Sequence, residues 1–193
     1  MTTWFMADPH FFHASPDKPD GIIKLAGRPF SSGRQMNEAM AANIRAMVRR
    51  DDDLIIAGDF AHRAGDPEAL RKLFDSLPGR KTLVIGNHDG PQTQELPWAD
   101  KRDILYANVE TTKLVVSHYP MLSWMGSRKP TTLQLYGHHH GKLRGNQQSC
   151  DIGIDVLGFA PVRLSTIKAH MATLPPRVDP EDGEQYDVDG VKP

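Results

Sequence analysis

The sequence predicts an α/β fold built on mixed sheets. Apolar runs of strand length recur and end in glycine or a polar turn: TWFMA (3–7), LIIAG (54–58), TLVIG (82–86), KLVVS (113–117) and LQLYG (133–137). Helix-like stretches separate the first three runs, and strands joined through helices pair in parallel. The chain has 193 residues, which is enough for one domain with a well-buried core.

Two helices are predicted in the first half. Ser31 or Ser32 can cap a helix within residues 31–50, and Asp66 can cap a second helix whose first position is Pro67. Each stretch has apolar residues on one face: Met36, Met40, Ile44, Met47 and Val48 in the first, and Leu70, Leu73, Phe74 and Leu77 in the second. Pro78 and Gly79 end the second helix.

The second half predicts more strands. Residues 104–118 are typical of two strands joined by a tight turn, and CDIGIDV (150–156) alternates with period two, as a strand does. Residues 162–172 favour a short strand or a helix. We therefore expect two packed mixed sheets with helices outside. The domain spans residues 1–172, and the acidic, Pro-rich residues 173–193 are expected to form a flexible tail.

Composition limits the classes of function. The net charge of -1 provides no basic field for holding a nucleic-acid duplex. The single cysteine, Cys150, excludes an intramolecular disulfide and a Cys-rich metal site. Because the N-terminus has no secretory pattern and no apolar run approaches membrane-spanning length, we expect a cytoplasmic protein without a membrane partner.

Metal-ligand side chains follow the apolar runs. The candidates are Asp8, His10, Asp59, Asn87, His118, His138 and His140. Singly, such residues are more often helix caps, turn residues or packed histidines. Their joint recurrence where strands end instead predicts a pair of divalent cations. Asp59 is the candidate bridging ligand, and His138 and His140 could each bind one ion while His139 faces away. Gly58, Gly86 and Gly137 would permit close backbone approach.

The ordered series D-P-H (8–10), G-D (58–59), G-N-H-D (86–89), His118 and G-H-H-H (137–140) resembles the calcineurin-like metallophosphoesterases. The resemblance implies a four-layer α/β/β/α sandwich of two mixed sheets. One implied ion has the ligands Asp8, His10, Asp59 and His140. The other has Asp59, Asn87, His118 and His138. Many members have Thr or Leu where this chain has Pro9, which leaves both flanking ligands available.

The resemblance also implies a mechanism. A metal-bridging hydroxide attacks phosphorus, His88 donates a proton or hydrogen bond to the phosphate or the leaving group, and Asp89 orients His88. Mn²⁺ is the first expectation for both ions, although Fe, Zn, Ni or Co would suit the same ligands.

Residues 11–30 resemble a small bacterial and phage branch of the family. On that resemblance His13 and Arg28 could contact the substrate phosphate, although a solvated arginine fits Arg28 equally well. His62 either reaches the site or only packs. The loop 121–132, with Trp124, Arg128 and Lys129, is either a substrate rim or an ordinary surface loop.

The leading functional hypothesis is a hydrolase of a small phosphodiester or phosphomonoester, with nucleotides among the candidates. The alternative is a metal-dependent nuclease acting on single-stranded DNA or RNA, so nucleic acid would be a substrate and not a tightly held partner. A catalytically silent scaffold of the same fold is disfavoured, because every expected ligand and His88 are present.

Overall fold

The computed structural model describes residues 1–13, 21–62 and 66–179. These residues form strands and helices in the order β1 (Thr3–Met6), α1 (Ile22–Leu25), α2 (Gly33–Met47), β2 (Asp53–Ala57), α3 (Pro67–Ser76), β3 (Arg80–Val84), α4 (Pro91–Gln94), β4 (Asp100–Arg102), β5 (Ile104–Val109), β6 (Thr112–Ser117), β7 (Thr132–Tyr136), β8 (Ser149–Asp151), α5 (Ile154–Leu157), β9 (Val162–Arg163) and α6 (Leu164–Met171).

The strands form two mixed sheets, as predicted. The first has the order β4-β3-β2-β1-β9, in which only β9 runs antiparallel to its neighbour. The second has the order β5-β6-β7-β8, in which β5 and β6 are antiparallel and the other pairs are parallel. The fold class is therefore confirmed.

Successive side chains of the central strands point to opposite faces of the sheet, and the hydrophobic core therefore has two layers. Trp4 and Met6 of β1 pack with the buried residues of α2 and α3, whereas Phe5 faces the apolar residues of the second sheet. The strand β2 alternates in the same way. Successive strand side chains point to opposite faces, so one buried strand can serve both layers.

The two predicted helices form where their local signals place them. Ser32 Oγ accepts a hydrogen bond from Gln35 N at the start of α2, and Asp66 Oδ1 accepts one from Glu68 N at the start of α3. These bonds satisfy amides that have no partner within the helix. No helix in the described part of the chain is both long and apolar enough to span a bilayer.

The strand predicted over residues 150–156 is only partly correct. The chain leaves β8 after Asp151, whose carboxylate accepts hydrogen bonds from Gly153 N at 2.7 Å and Gly141 N at 2.9 Å. These contacts turn the chain into the short helix α5. Residues 162–172, which favoured a strand or a helix, contain both, namely β9 followed by α6.

The first residues of the predicted tail make contacts with the domain. The Arg177 guanidinium lies 4.8 Å from the centre of the Trp124 ring, and its Nη1 donates to the Ser127 carbonyl at 3.3 Å. Gln147 N also donates to the Pro175 carbonyl at 2.9 Å. The rest of the predicted tail, residues 180–193, lies outside the described residues.

Candidate metal centre

The predicted ligands lie together at the ends of strands from both sheets. From the first sheet, Asp8 and His10 follow β1, Asp59 follows β2 and Asn87 follows β3. From the second sheet, His118 follows β6, while His138 and His140 follow β7. The site therefore lies where the carboxyl ends of the two sheets meet, and neither sheet contains it alone.

The ligand atoms gather in two main groups. Asp8, His10 and His140 form one group, and Asp59, His118 and His138 form the other, with the atoms of each group within 4.8 Å of one another. A third set of the same compactness joins His10, Asp59 and His88. His138 and His140 thus fall into different groups, as expected from the resemblance.

Asp59 lies between the two groups. Its Oδ2 is 3.5 Å from His10 Nε2 and 3.3 Å from His118 Nε2. Its Oδ1 accepts a hydrogen bond from the His88 backbone N–H at 2.7 Å. One carboxylate oxygen is therefore directed to a point that both groups share, as a bridging ligand requires.

Asn87 belongs to the second group. Its Oδ1 lies 3.1 Å from His118 Nε2 and 3.0 Å from His138 Nδ1. An amide oxygen in this position can bind a cation without adding charge.

Three of the histidines are held through Nδ1. His140 Nδ1 contacts Asp155 Oδ2 at 2.8 Å, His118 Nδ1 donates to the Ala57 carbonyl at 3.0 Å, and His10 Nδ1 lies 3.2 Å from His13 Nδ1. A partner at one ring nitrogen fixes the orientation of the ring and leaves the other nitrogen available to a metal. Asp155 and His13 are therefore positioning residues for the site.

Most of the site is buried, and burial disfavours the charged forms of its ionisable side chains. Burial raises the pKa of the Asp8 carboxyl well above its ordinary value and lowers the pKa of His10 well below its ordinary value. Burial also disfavours the charged form of His118, but the hydrogen bond and negative charge of Asp59 outweigh it and raise the pKa of His118 to about 9. The buried Nε2 of His10 has no hydrogen-bond partner in the part of the chain that the structure describes. An orphaned imidazole nitrogen beside buried carboxylates fits a divalent cation.

The three glycines that precede the ligands are required sterically. A Cβ at Gly58 would collide with the His118 ring, one at Gly86 with the Asp59 carboxylate, and one at Gly137 with the Asp8 carboxylate. The absence of a side chain therefore lets the ligands approach the neighbouring backbone, as the sequence predicted.

The contacts of Arg28 contradict one prediction from the sequence. Its Nε and Nη2 donate to the two carboxylate oxygens of Asp155, each at 2.8 Å. Nη2 also donates to the Asp8 carbonyl, and Nη1 to the Pro9 carbonyl and to Met36 Sδ. The side chain is buried and all its donors are engaged. The predicted contact between Arg28 and a substrate phosphate is therefore wrong, and Arg28 fixes the backbone that carries Asp8.

The contacts of Asp89 contradict a second prediction from the sequence. Its carboxylate accepts hydrogen bonds from the backbone amides of Gly86 at 2.8 Å, Asp59 at 2.9 Å and Phe60 at 2.8 Å. Burial nevertheless raises the pKa of Asp89 to about 6. Asp89 thus joins the loops that follow β2 and β3. Within residues 1–13, 21–62 and 66–179, the Nδ1 of His88 has no hydrogen-bond partner. The expected orientation of the His88 ring by Asp89 is not observed.

His13 and His62 both reach the rim of the site. Their rings stack with centroids 4.2 Å apart, and they lie 5.3 Å and 5.7 Å from the His88 ring, respectively. Contact between His13 and a substrate phosphate stays a prediction. In the loop 121–132, Trp124 is buried beneath Arg177 and does not offer a stacking surface.

Sequence reasoning missed Asp155 and Tyr119. Asp155 was hidden because residues 150–156 alternate like a strand, and it does not directly follow one of the apolar runs that marked the candidate ligands. Tyr119 directly follows His118, and its hydroxyl donates to Asn87 Oδ1 at 3.3 Å. No local pattern distinguishes it from an ordinary turn residue.

The fold and the site together define an α/β sandwich protein with a histidine- and aspartate-rich candidate metal centre. The chain belongs to the calcineurin-like phosphoesterase family, whose model matches residues 1–163.

Relatives from an archaeon and a phage share much of the chain. The uncharacterized protein MJ1445 of Methanocaldococcus jannaschii is 26% identical over 176 residues, which cover 85% of this chain and 88% of that protein. The Gene 66 protein of Mycobacterium phage L5 is 27% identical over 142 residues, which cover 72% of this chain and 58% of that protein.

A solved structure has the same fold. The protein of unknown function AQ665 from Aquifex aeolicus aligns with a TM-score of 0.65 and 20% identity, over 87% of this chain and 98% of that one.

Proposed function

We propose that the protein is a dinuclear-metal-dependent hydrolase of small phosphoesters. The observation that carries the proposal is the position of the Asp59 carboxylate between two groups of His and Asp side chains, most of them buried. Paired cations that share a carboxylate are a recurrent arrangement for displacement at phosphorus.

The two ions have separate ligand sets apart from Asp59. Asp8, His10 and His140 complete the first set, and Asn87, His118 and His138 complete the second. When bound, the cations would lower the pKa of a coordinated water and neutralise phosphoryl oxygens. Mn²⁺ is the first choice, because mixed imidazole and carboxylate sites accept it.

His88 is the proposed hydrogen-bond or proton donor to the phosphate or the leaving oxygen. Its backbone N–H is fixed on Asp59 Oδ1, and its ring lies 5.1 Å from the His10 ring in an edge arrangement. Its Nδ1 has no partner among the described residues. A histidine beside the ligands with an unused ring nitrogen is suited to this role.

A substrate panel tests the proposal. The protein loaded with Mn²⁺ would be assayed with bis-p-nitrophenyl phosphate, p-nitrophenyl phosphate, 2',3'-cyclic nucleotides and single-stranded DNA. Turnover of the small esters without DNA cleavage supports the proposal. DNA cleavage alone would favour the nuclease, and no turnover of any substrate with Mn, Fe, Zn, Ni or Co would contradict hydrolase function.

Two variants test the assigned roles. We expect His88→Ala to keep both ions and lose roughly 10²- to 10⁴-fold in kcat, the usual contribution of a positioned general acid. Asp59→Asn should lose metal as well as turnover. Elemental analysis of each purified variant provides the metal content, and two retained ions in Asp59→Asn would disprove the bridging role.

A further inference from the structure

Tyr119 stands at the edge of the second group of ligands. Its ring centroid lies 4.6 Å from that of His138 and 5.0 Å from that of His118. Its hydroxyl donates to Asn87 Oδ1 at 3.3 Å. Three contacts with candidate ligands place this aromatic ring beside the position where a phosphate would bind.

Hydrogen bonds hold Tyr119 at its backbone carbonyl and at its side-chain hydroxyl. The Tyr119 carbonyl accepts hydrogen bonds from the buried Ser117 Oγ at 2.7 Å and from the buried Gln134 Nε2 at 3.4 Å. At the other end, the hydroxyl is anchored on Asn87. An aromatic ring that is already fixed loses little conformational entropy when a ligand packs on it.

The ring of Tyr119 is nevertheless open to solvent. The residue is 49% exposed, whereas Trp124 in the same connection is 7% exposed and covered by Arg177. The row of rings continues from Tyr119 through His138 to His139, whose centroid lies 5.0 Å from that of His138. The exposed Tyr119 ring therefore offers one aromatic face next to the polar centre.

We propose that Tyr119 stacks on a nucleobase, so that the preferred phosphoesters are nucleotides. The inference rests on the proposed function and names the substrate class of the same site. The fixed, exposed ring provides the stacking face, and the cations held by the candidate ligands would bind the phosphate. Stacking of one base on an aromatic side chain typically improves binding roughly 5- to 150-fold.

A binding comparison tests the proposal with affinity, and not turnover, as the measured quantity. Isothermal titration of the Mn²⁺-loaded protein would compare AMP with ribose 5-phosphate, which keeps the phosphate and sugar and lacks the base. The variants are Tyr119→Leu, which removes the ring, and Tyr119→Phe, which removes only the hydroxyl. Metal content and melting temperature are measured for each variant, so that loss of folding or of ions is recognised.

The wild type and Tyr119→Phe should bind AMP roughly 5- to 150-fold more tightly than ribose 5-phosphate. Tyr119→Leu should lose most of that preference while its affinity for ribose 5-phosphate stays within about threefold of the wild type, because the ring does not hold the phosphate. Equal affinities in the wild type, absence of binding of both ligands, or a preference that survives in Tyr119→Leu would overturn the proposal. The outcome is independent of the hydrolysis panel, so failure of one proposal is distinguishable from failure of the other.

Discussion

Several residues of the candidate metal centre have a left-handed backbone conformation. The site residues with positive φ are Asp8 (57°), His10 (51°), Asp59 (52°), His138 (71°) and His140 (50°). This conformation is unfavourable for residues other than glycine, typically by about 1–2 kcal/mol each. Such strain concentrates at functional sites, where the surrounding contacts hold it in place. The contacts of Asp89, Arg28 and Asp151 with the adjoining backbone provide that support.

A comparison of alanine variants at Gly58 and Gly27 distinguishes the effect of steric collision from that of backbone strain. Both have positive φ, but an added Cβ meets the His118 ring at Gly58 and no atom of the described residues within 4 Å at Gly27. We expect Gly27→Ala to lose about 1–2 kcal/mol of stability and to keep its metal affinity. Gly58→Ala should lose about 2–5 kcal/mol and bind Mn²⁺ more weakly, because strain and overpacking add.

Urea unfolding and Mn²⁺ titration of the two variants check this prediction. Equal Mn²⁺ affinities in Gly58→Ala and Gly27→Ala would show that close approach at Gly58 is unimportant to the site.

The Asp52 carboxylate makes a pH-dependent contribution to the stability of the folded protein. It lies away from the candidate metal centre. Its carboxylate accepts hydrogen bonds from Thr2 N at 2.7 Å, Arg49 N at 3.0 Å and Trp4 Nε1 at 3.1 Å. The hydrogen bonds from the Arg49 and Thr2 amides lower the pKa of Asp52 below its ordinary value. The stabilisation is therefore complete above the unfolded-state pKa of about 4 and is lost as the pH falls through the lower folded-state pKa.

We expect Asp52→Asn to be less stable than the wild type at pH 6, with a difference that shrinks at about pH 3, below the unfolded-state pKa of about 4, because the unfolded chain then takes up the proton. Urea unfolding at the two pH values measures the difference. A difference of the same size at both pH values would mean that the carboxylate charge does not contribute.

At the scale of elements, the pair of Arg28 and Asp155 joins the start of the chain to α5. The two residues are 127 positions apart in sequence, and their side chains are almost fully buried. Asp155 also contacts His140, so one carboxylate connects α5, the loop before α2 and a candidate metal ligand. Removing one partner of a buried pair leaves an uncompensated charge.

Arg28→Ala should therefore destabilise the protein by about 3–5 kcal/mol. Arg71→Ala is the matched control, because Arg71 pairs with Asp75 on the exposed surface of α3 with its side chain 57% exposed. We expect the control to change stability by less than about 1 kcal/mol. Urea unfolding of the metal-free proteins measures both, and similar losses in the two variants would contradict a structural role for the buried pair.

Elements with local signals were predictable. The helices α2 and α3 carry a capping residue and an apolar stripe within their own sequences. The helix α5 was not predicted, because its four residues continue an alternating pattern. It forms after a turn that Asp151 fixes through the distant Gly141 amide. A short helix whose position depends on such a contact shows no helical periodicity in its own sequence.

At the scale of the whole molecule, the candidate ligands tie the two sheets together. Cations bound to both sheets would favour the folded chain over the unfolded one by mass action. At 100 times its Kd, each bound Mn²⁺ should add about 2.7 kcal/mol to the free energy of unfolding and raise the Tm by roughly 5–10 °C.

Calorimetry with Mn²⁺ and with a chelator measures this shift. Asp59→Asn should lose most of it, whereas Asp75→Asn, which alters an exposed carboxylate on α3, should keep it. An unchanged wild-type Tm across the titration would argue against metal binding by the folded protein.

The sequence by itself determined the strands and helices with local periodicity, the identity of the candidate ligands and the need for glycine beside them. These features leave a local record, because alternation, caps and a polar residue after an apolar run lie within a few positions of one another. Only the tertiary structure decided the partners of the buried polar groups. Arg28 contacts Asp155 instead of a substrate, and Asp89 contacts three backbone amides instead of His88. A buried charge is satisfied by whichever group the fold brings within hydrogen-bond distance, and that group lies beyond the range of any local pattern.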